Sequence, residues 1–280
     1  MITVSKNGGD LSSVQEAIDS IPSGNETVFI RKGIYHERVE ITVPGVTLIG
    51  ESAEETVIEY GLYAMMKADD ARKLGTFRSY TMLVNADDVI CRGITVRNTA
   101  GFGKDIGQAV ALYAEGDRLT FEDCRICGRQ DTLFTGPLPP TEREKGGFRG
   151  PTEFSERKQG RQIYRKCHIE GDVDFIFGSA AARFEDCVIH SLDRGEEING
   201  YVTASSACEG AESGYVFERC RFTGDCAPHS VYLGRPWREF AQVSLINCEI
   251  GQHIRPEFFC GWNNDTIPDT VRFEVIGCTY

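Results

Sequence analysis

Two short segments set an aspartate among apolar neighbours: Gly128-Arg129-Gln130-Asp131-Thr132-Leu133-Phe134 and Gly171-Asp172-Val173-Asp174-Phe175-Ile176-Phe177-Gly178. If the fold brings both carboxyls to one site, they cannot both ionise cheaply. One then keeps its proton near neutral pH while the other is a carboxylate, which is an acid and a nucleophile side by side. The plainer reading is that aspartates in turns bond backbone amides or hold calcium. Residue type alone leaves that choice open, and it depends on whether the chain places the two segments next to each other.

A repeat supplies the positioning. Six of the eleven cysteines fall in copies of one pattern, a bulky residue, two residues, Cys, one residue, a bulky residue: Phe121/Cys124/Ile126, Tyr164/Cys167/Ile169, Phe184/Cys187/Ile189, Phe217/Cys220/Phe222, Leu245/Cys248/Ile250 and Val275/Cys278/Tyr280. A looser copy, Cys91/Ile94/Val96, precedes them with Ile in the Cys slot. From Ile94 onward the slots are 30, 43, 20, 33, 28 and 30 residues apart, the spread of a solenoid whose coils share a stacked position but differ in their loops. Alternation within each copy has the period of a strand, and no helical periodicity lies between copies. An all-β chain wound as a parallel β-helix follows. Its coils lie about 4.8 Å apart, a spacing that allows Asp131 and Asp174, in successive coils, to share one polar site. The cysteines are expected as small apolar core residues, and no metal is expected, because Cys124-Arg125-Ile126-Cys127 has no matching ligand pair.

Two segments stand outside the repeat. Near the start, Ser12 or Ser13 can cap a helix, with Gln15 or Glu16 completing a capping box. Val14, Ala17, Ile18 and Ile21 share its apolar face before Pro22 stops it, and such a helix would cover the open end of the solenoid. The stretch 137–160 is rich in Pro, Gly and charge without periodicity, and reads as a long loop inserted in a single domain spanning 1–280. Its ends flank Asp131 and Asp174, which leaves two readings: it shapes one end of a substrate cleft, or it is a solvated excursion that makes no contact there. Net charge is −12, which argues against nucleic acid or an anionic membrane as partner and requires local cations wherever an anionic ligand binds. No charged and apolar leader opens the chain, and eleven is an odd number of cysteines. Reduced thiols and a cytoplasmic location are expected, or a secreted one if a leader precedes the sequence.

Further motifs complete a set: Gly33-Ile34-Tyr35-His36-Glu37, Thr76-Phe77-Arg78-Ser79, Gly107-Gln108-Ala109-Val110-Ala111-Leu112 and Leu233-Gly234-Arg235-Pro236-Trp237. With the two aspartate segments, in this order from Thr3 to about Trp262, the chain resembles the pectin methylesterase family. The resemblance implies a right-handed β-helix that hydrolyses C6 methyl esters of homogalacturonan or oligogalacturonides, without a cofactor. By the same resemblance Asp174 is the nucleophile, and Asp131 is the acid that protonates methanol and then activates water. Gln108 and Gln130 donate to the oxyanion, and Arg235 holds Asp174 ionised. Thr76, Phe177, Trp237 and Val173 contact substrate. A monomer is expected.

Three features depart from the family pattern: Ser179 where Asn is usual, the loop 137–160, and an end at Tyr280 ahead of the usual C-terminal stretch. Rival readings are a β-helix lyase, which needs a calcium cluster and a basic residue, and a glycosidase, which needs carboxylates set for acetal cleavage. Neither uses paired glutamines. A carbohydrate-binding module would keep the aromatics without needing both aspartates, and a thioesterase on the same fold is a further alternative.

Overall fold

The computed structural model describes residues 1–68 and 72–280. Among these, 25 strands form three parallel sheets of ten, seven and eight strands, and successive coils contribute successive strands to each sheet. This is a parallel β-helix. A left-handed backbone conformation recurs at one corner. Gly93, Asp123, Lys166, Asp186, Arg219, Asn247 and Gly277, each immediately before a Cys slot, have φ between 50° and 64°. Gly, Asn and Asp tolerate that region best, which is why those types punctuate the repeat.

Inside the corner the repeat stacks as its pattern implies. Cys91, Phe121, Tyr164, Phe184, Phe217, Leu245 and Val275 align in register along the ten-stranded sheet. The rings of Phe121 and Tyr164 lie 4.9 Å apart, those of Tyr164 and Phe184 4.8 Å, and those of Phe184 and Phe217 4.4 Å. Such pairs contribute about 0.5–1.5 kcal/mol each beyond their buried area. Cys124, Cys167, Cys187, Cys220 and Cys248 are buried beside them. Each thiol donates to the carbonyl of the bulky residue one coil earlier, as Cys167 does to Phe121 and Cys220 to Phe184. All eleven cysteines are free.

The seven-stranded sheet has a second, outward-facing apolar surface. While Met82, Leu112, Leu133 and Ile176 point into the core, their neighbours Leu83, Tyr113, Phe134 and Phe177 join a separate cluster outside the solenoid. Register places those outer residues in one column that continues through Ala204 to Arg235. The loop 137–160 folds back over this surface. Its Leu138 and Phe148 are buried in the outer cluster, and Thr152 bonds the Tyr113 hydroxyl at 2.5 Å.

The N-terminal helix, Val14–Asp19, buries Val14, Ala17 and Ile18 in the end of the core. Ser13 caps it, accepting from the Glu16 amide at 3.2 Å. Neither Gln15 nor Glu16 completes the capping box that the sequence pattern predicts; the acceptor at this helix end is the Glu37 carboxylate. It accepts from the Ser13 hydroxyl and from the Val14 and Gln15 amides at 2.6, 3.0 and 3.0 Å. A local motif cannot reveal a cap supplied from a different coil. Gly103–Ile106 forms a second short helix, not apparent in the sequence pattern, beside the site.

Candidate active site

Asp131 and Asp174 occupy matching places in adjacent coils, just ahead of the paired residues Leu133 and Ile176. Both have left-handed backbones, φ 62° and 49°, a conformation costing a non-glycine residue about 1–3 kcal/mol that the surrounding structure must supply. A register shift explains Asp174. Val173 pairs with Tyr201 but Ile176 pairs with Thr203, so the Asp174 strand carries one extra residue there. This bulge lets Phe175 enter the core while Asp174 turns out to the cavity wall. On the neighbouring coil the Asp131 amide donates to the Val173 carbonyl at 3.0 Å, tying the two turns together.

Arg235 reaches Asp174 from the end of the outer column. Its Nε and Nη2 donate to the two carboxylate oxygens at 2.9 and 2.6 Å, a bidentate pair with both side chains largely buried. The guanidinium carbon lies 3.9 Å from the Tyr201 ring centre and 4.2 Å from that of Trp262, so two aromatic faces fix its plane. Burial raises the pKa of both aspartates. Asp131 is raised well above the usual carboxylate range, first by burial and then by the charge of Asp174, whereas Arg235 pulls Asp174 back down. Arg235 lowers both carboxyls, but it bonds Asp174 alone, so the charged form is favoured more at Asp174 than at Asp131.

The remaining predicted residues except Val173 line a cavity of about 690 Å³. Gln108 and Gln130 line it from neighbouring coils, with the Ala109 amide donating to the Gln130 carbonyl at 3.1 Å. Gly103 closes over Gln130. A Cβ there would lie 2.9 Å from the Gln130 Cβ, so only a residue without a side chain fits. Thr76, on the single turn Thr76–Arg78, Phe177 and Trp237 also line the cavity, the two rings meeting edge-on with centres 5.8 Å apart. Phe177 is almost wholly buried, so it serves mainly as floor beneath Trp237. Val173 is not part of the lining; it stands behind it, holding Asp131 through its carbonyl.

Sequence reasoning missed Phe77, Arg238, Trp262 and the aromatic clamp of Tyr201. It anticipated the loop but not which loop residues reach the cleft, namely Arg143, Glu144, Gly146, Gly147 and Phe148. Arg143 donates to the Trp237 carbonyl at 2.7 Å, and Arg238 donates to the Thr141 carbonyl at 3.1 Å, so the loop is bound to the cleft wall at both points. The five positive charges of the segment were the available signal, but nothing local singles out Arg143 among them.

The pectinesterase family model matches residues 1–138 and 155–276, leaving 139–154 outside it. The chain is 35% identical over 289 residues to a probable pectinesterase/pectinesterase inhibitor 64 of Arabidopsis thaliana, covering 94% of this chain and 43% of that protein. It is 36% identical over 275 residues to pectinesterase 31 of the same plant, covering 94% of this chain and 78% of that one. The chain thus spans under half of the first relative and most of the second. A crystal structure of a pectin methylesterase in complex with a hexasaccharide superposes with a TM-score of 0.82 at 28% identity, covering 99% of this chain and 88% of the other. The solenoid has the right hand of that fold.

Proposed function

Since the chain belongs to the pectinesterase family, whose members are carboxylic-ester hydrolases, we propose that it hydrolyses C6 methyl esters of homogalacturonan or of oligogalacturonides. The observation that carries this reading is the pair of buried carboxyls in adjacent coils, with Arg235 bidentate to Asp174 alone. In the proposed reaction a carboxylate oxygen of Asp174 attacks the ester carbonyl carbon, and the carbonyl electrons move onto oxygen. The side-chain amides of Gln108 and Gln130 donate to that oxyanion, the position where fixed donors act most strongly. Collapse breaks the bond to the methoxy group, which leaves as methanol with the proton of Asp131, and an acyl-enzyme anhydride remains on Asp174. Asp131, now a carboxylate, takes a proton from water, whose oxygen attacks the acyl carbon. The galacturonate carboxyl departs, Asp174 is a carboxylate again, and Asp131 has its proton back.

Sugar rings rest against Trp237 above Phe177, with Thr76 at the rim of the same cavity. Action as a monomer is also proposed. Among the described residues no helix is long and apolar enough to cross a membrane. The eleven unpaired thiols support a reducing, cytoplasmic setting and short oligogalacturonides as substrate. The domain is proposed to be one unit interrupted by the inserted loop.

The test is methanol release from methyl-esterified pectin by the wild type and by Asp131→Ala and Asp174→Ala. Each variant is expected to lose at least a thousandfold in kcat with its circular dichroism spectrum intact. Absence of methanol with the wild type would refute the reaction, and near-normal release by either folded variant would refute the roles.

A further inference from the structure

We propose that the inserted loop builds a second anion subsite, in which Arg143 and Arg238 together bind a free carboxylate on a sugar unit beyond the one being de-esterified. This deepens the proposed function and rests on its reading of the substrate as a galacturonate chain. Arg143 lies in the stretch 139–154 that the family model leaves unmatched, and Arg238 lies in the part it matches.

Three observations place the two cations together. The carbonyl oxygen of Trp237 accepts from Nη2 of Arg143 at 2.7 Å and from Nη1 of Arg238 at 2.9 Å, so both guanidiniums converge on one atom. Arg143, Arg238 and Trp262 line both the catalytic cavity and an adjoining one of about 580 Å³, which makes them the divide between two connected spaces. Trp262 also ties this divide to the catalytic pair. Its ring centre is 4.8 Å from the guanidinium carbon of Arg143 and 4.2 Å from that of Arg235. The two guanidinium carbons are therefore no farther apart than those distances laid end to end, the scale of neighbouring units along a sugar chain.

The charge of this pair is uncompensated. Among the described residues neither guanidinium makes an ion pair, although Glu144 stands in the wall of one cavity and Glu209, Glu239 and Asp265 in that of the other. Burial and the neighbouring charge of Arg143 pull the Arg238 pKa down to about 10. Two like charges held side by side without a counter-ion, in a protein of net charge −12, carry an electrostatic cost that a bound anion relieves. A planar carboxylate matches the guanidinium forks, and the substrate class offers one on every de-esterified unit. Arg143 is exposed on the loop and lines both cavities.

The experiment compares two hexagalacturonates of equal length, one fully methyl-esterified and one half-esterified, as substrates for the wild type, Arg143→Ala and Arg143→Lys. Binding of the fully de-esterified hexamer is measured in parallel by calorimetry at two salt concentrations. In Arg143→Ala the ratio of kcat/KM for the half-esterified over the fully esterified hexamer is expected to fall about tenfold. The Kd of the de-esterified hexamer should weaken by a similar factor with a shallower salt dependence, and Arg143→Lys should recover part of both. A ratio and a Kd that each stay within twofold of the wild type overturn the subsite, whatever the overall activity. If the wild type releases no methanol yet binds the de-esterified hexamer through Arg143, the esterase reading fails and the subsite stands. If methanol is released but the ratio and Kd do not move, the subsite fails and the esterase reading stands.

Discussion

Replacing Arg235 by alanine tests the division of labour between the aspartates. The side chains of Arg235 and Asp174 are only 15% and 9% exposed and are joined by two charge-assisted bonds of 2.9 and 2.6 Å. Removing one partner of such a pair costs about 3–5 kcal/mol, because the other charge is left buried without compensation. Asp174 escapes that cost by taking a proton, and a protonated carboxyl is no nucleophile. At about 1.4 kcal/mol per factor of ten, kcat/KM should fall between roughly a hundredfold and several thousandfold near neutral pH. Burial raises the Asp174 pKa and Arg235 opposes the rise, so its loss raises that pKa further. Asp174 sets the acidic limb of the pH profile, since it must be ionised to attack, and that limb should therefore move to higher pH. Lysine at the same place keeps the charge but not the fork or the stacking on Tyr201 and Trp262, and should lose about ten- to a hundredfold. The assay is methanol release across pH, with circular dichroism to confirm the fold. A folded Arg235→Ala protein with activity within tenfold of wild type, or with its acidic limb unmoved, would refute the assignment of charge to Asp174.

Glu115, under the loop near Thr152, is raised by burial from 4.5 to about 8 against the pull of Arg157. Its folded pKa exceeds its unfolded one, so the stability gained by keeping it neutral is full below about pH 4.5 and is lost as pH rises through about 8. Glu115→Gln should flatten the pH dependence of the urea midpoint in that window; an unchanged slope would count against a buried, protonated Glu115. Thiol titration should find few reactive groups in the native protein and all eleven after denaturation without reductant, whereas a count well short of eleven would reveal disulfides. Glu37→Ala removes three bonds from the first turn of the N-terminal helix and should cost about 1–2 kcal/mol, read as a melting temperature a few degrees lower without loss of methanol release.

The repeat of bulky residue, Cys and bulky residue was legible because a solenoid returns each slot to the same interior position. Residue type there is set by the local face of the strand and by the left-handed turn before it, both of which leave a mark within a few residues. The coil-to-coil register of Phe121, Tyr164, Phe184 and Phe217 follows directly from that spacing. The order of the motifs likewise marked Asp131, Asp174, Gln108, Gln130, Arg235 and Trp237, all six of which line one cavity. Val173, a substrate contact by the resemblance, lies outside the cavity lining, beside the bulge that turns Asp174 toward it.

What the tertiary structure alone decided is where distant segments meet. The cap from Glu37, the clamp of Tyr201 and Trp262 on Arg235, and the convergence of Arg143 and Arg238 on one carbonyl each join residues with no periodic relation in the chain. Sequence periodicity reports which face of the backbone a residue occupies, and that is a local property. Which of the charged residues in the stretch 137–160 enters the cleft depends on how the loop packs Leu138 and Phe148 onto the outer aromatic column. That choice is made by burial of apolar surface between segments far apart in sequence, so no short stretch of residues records it.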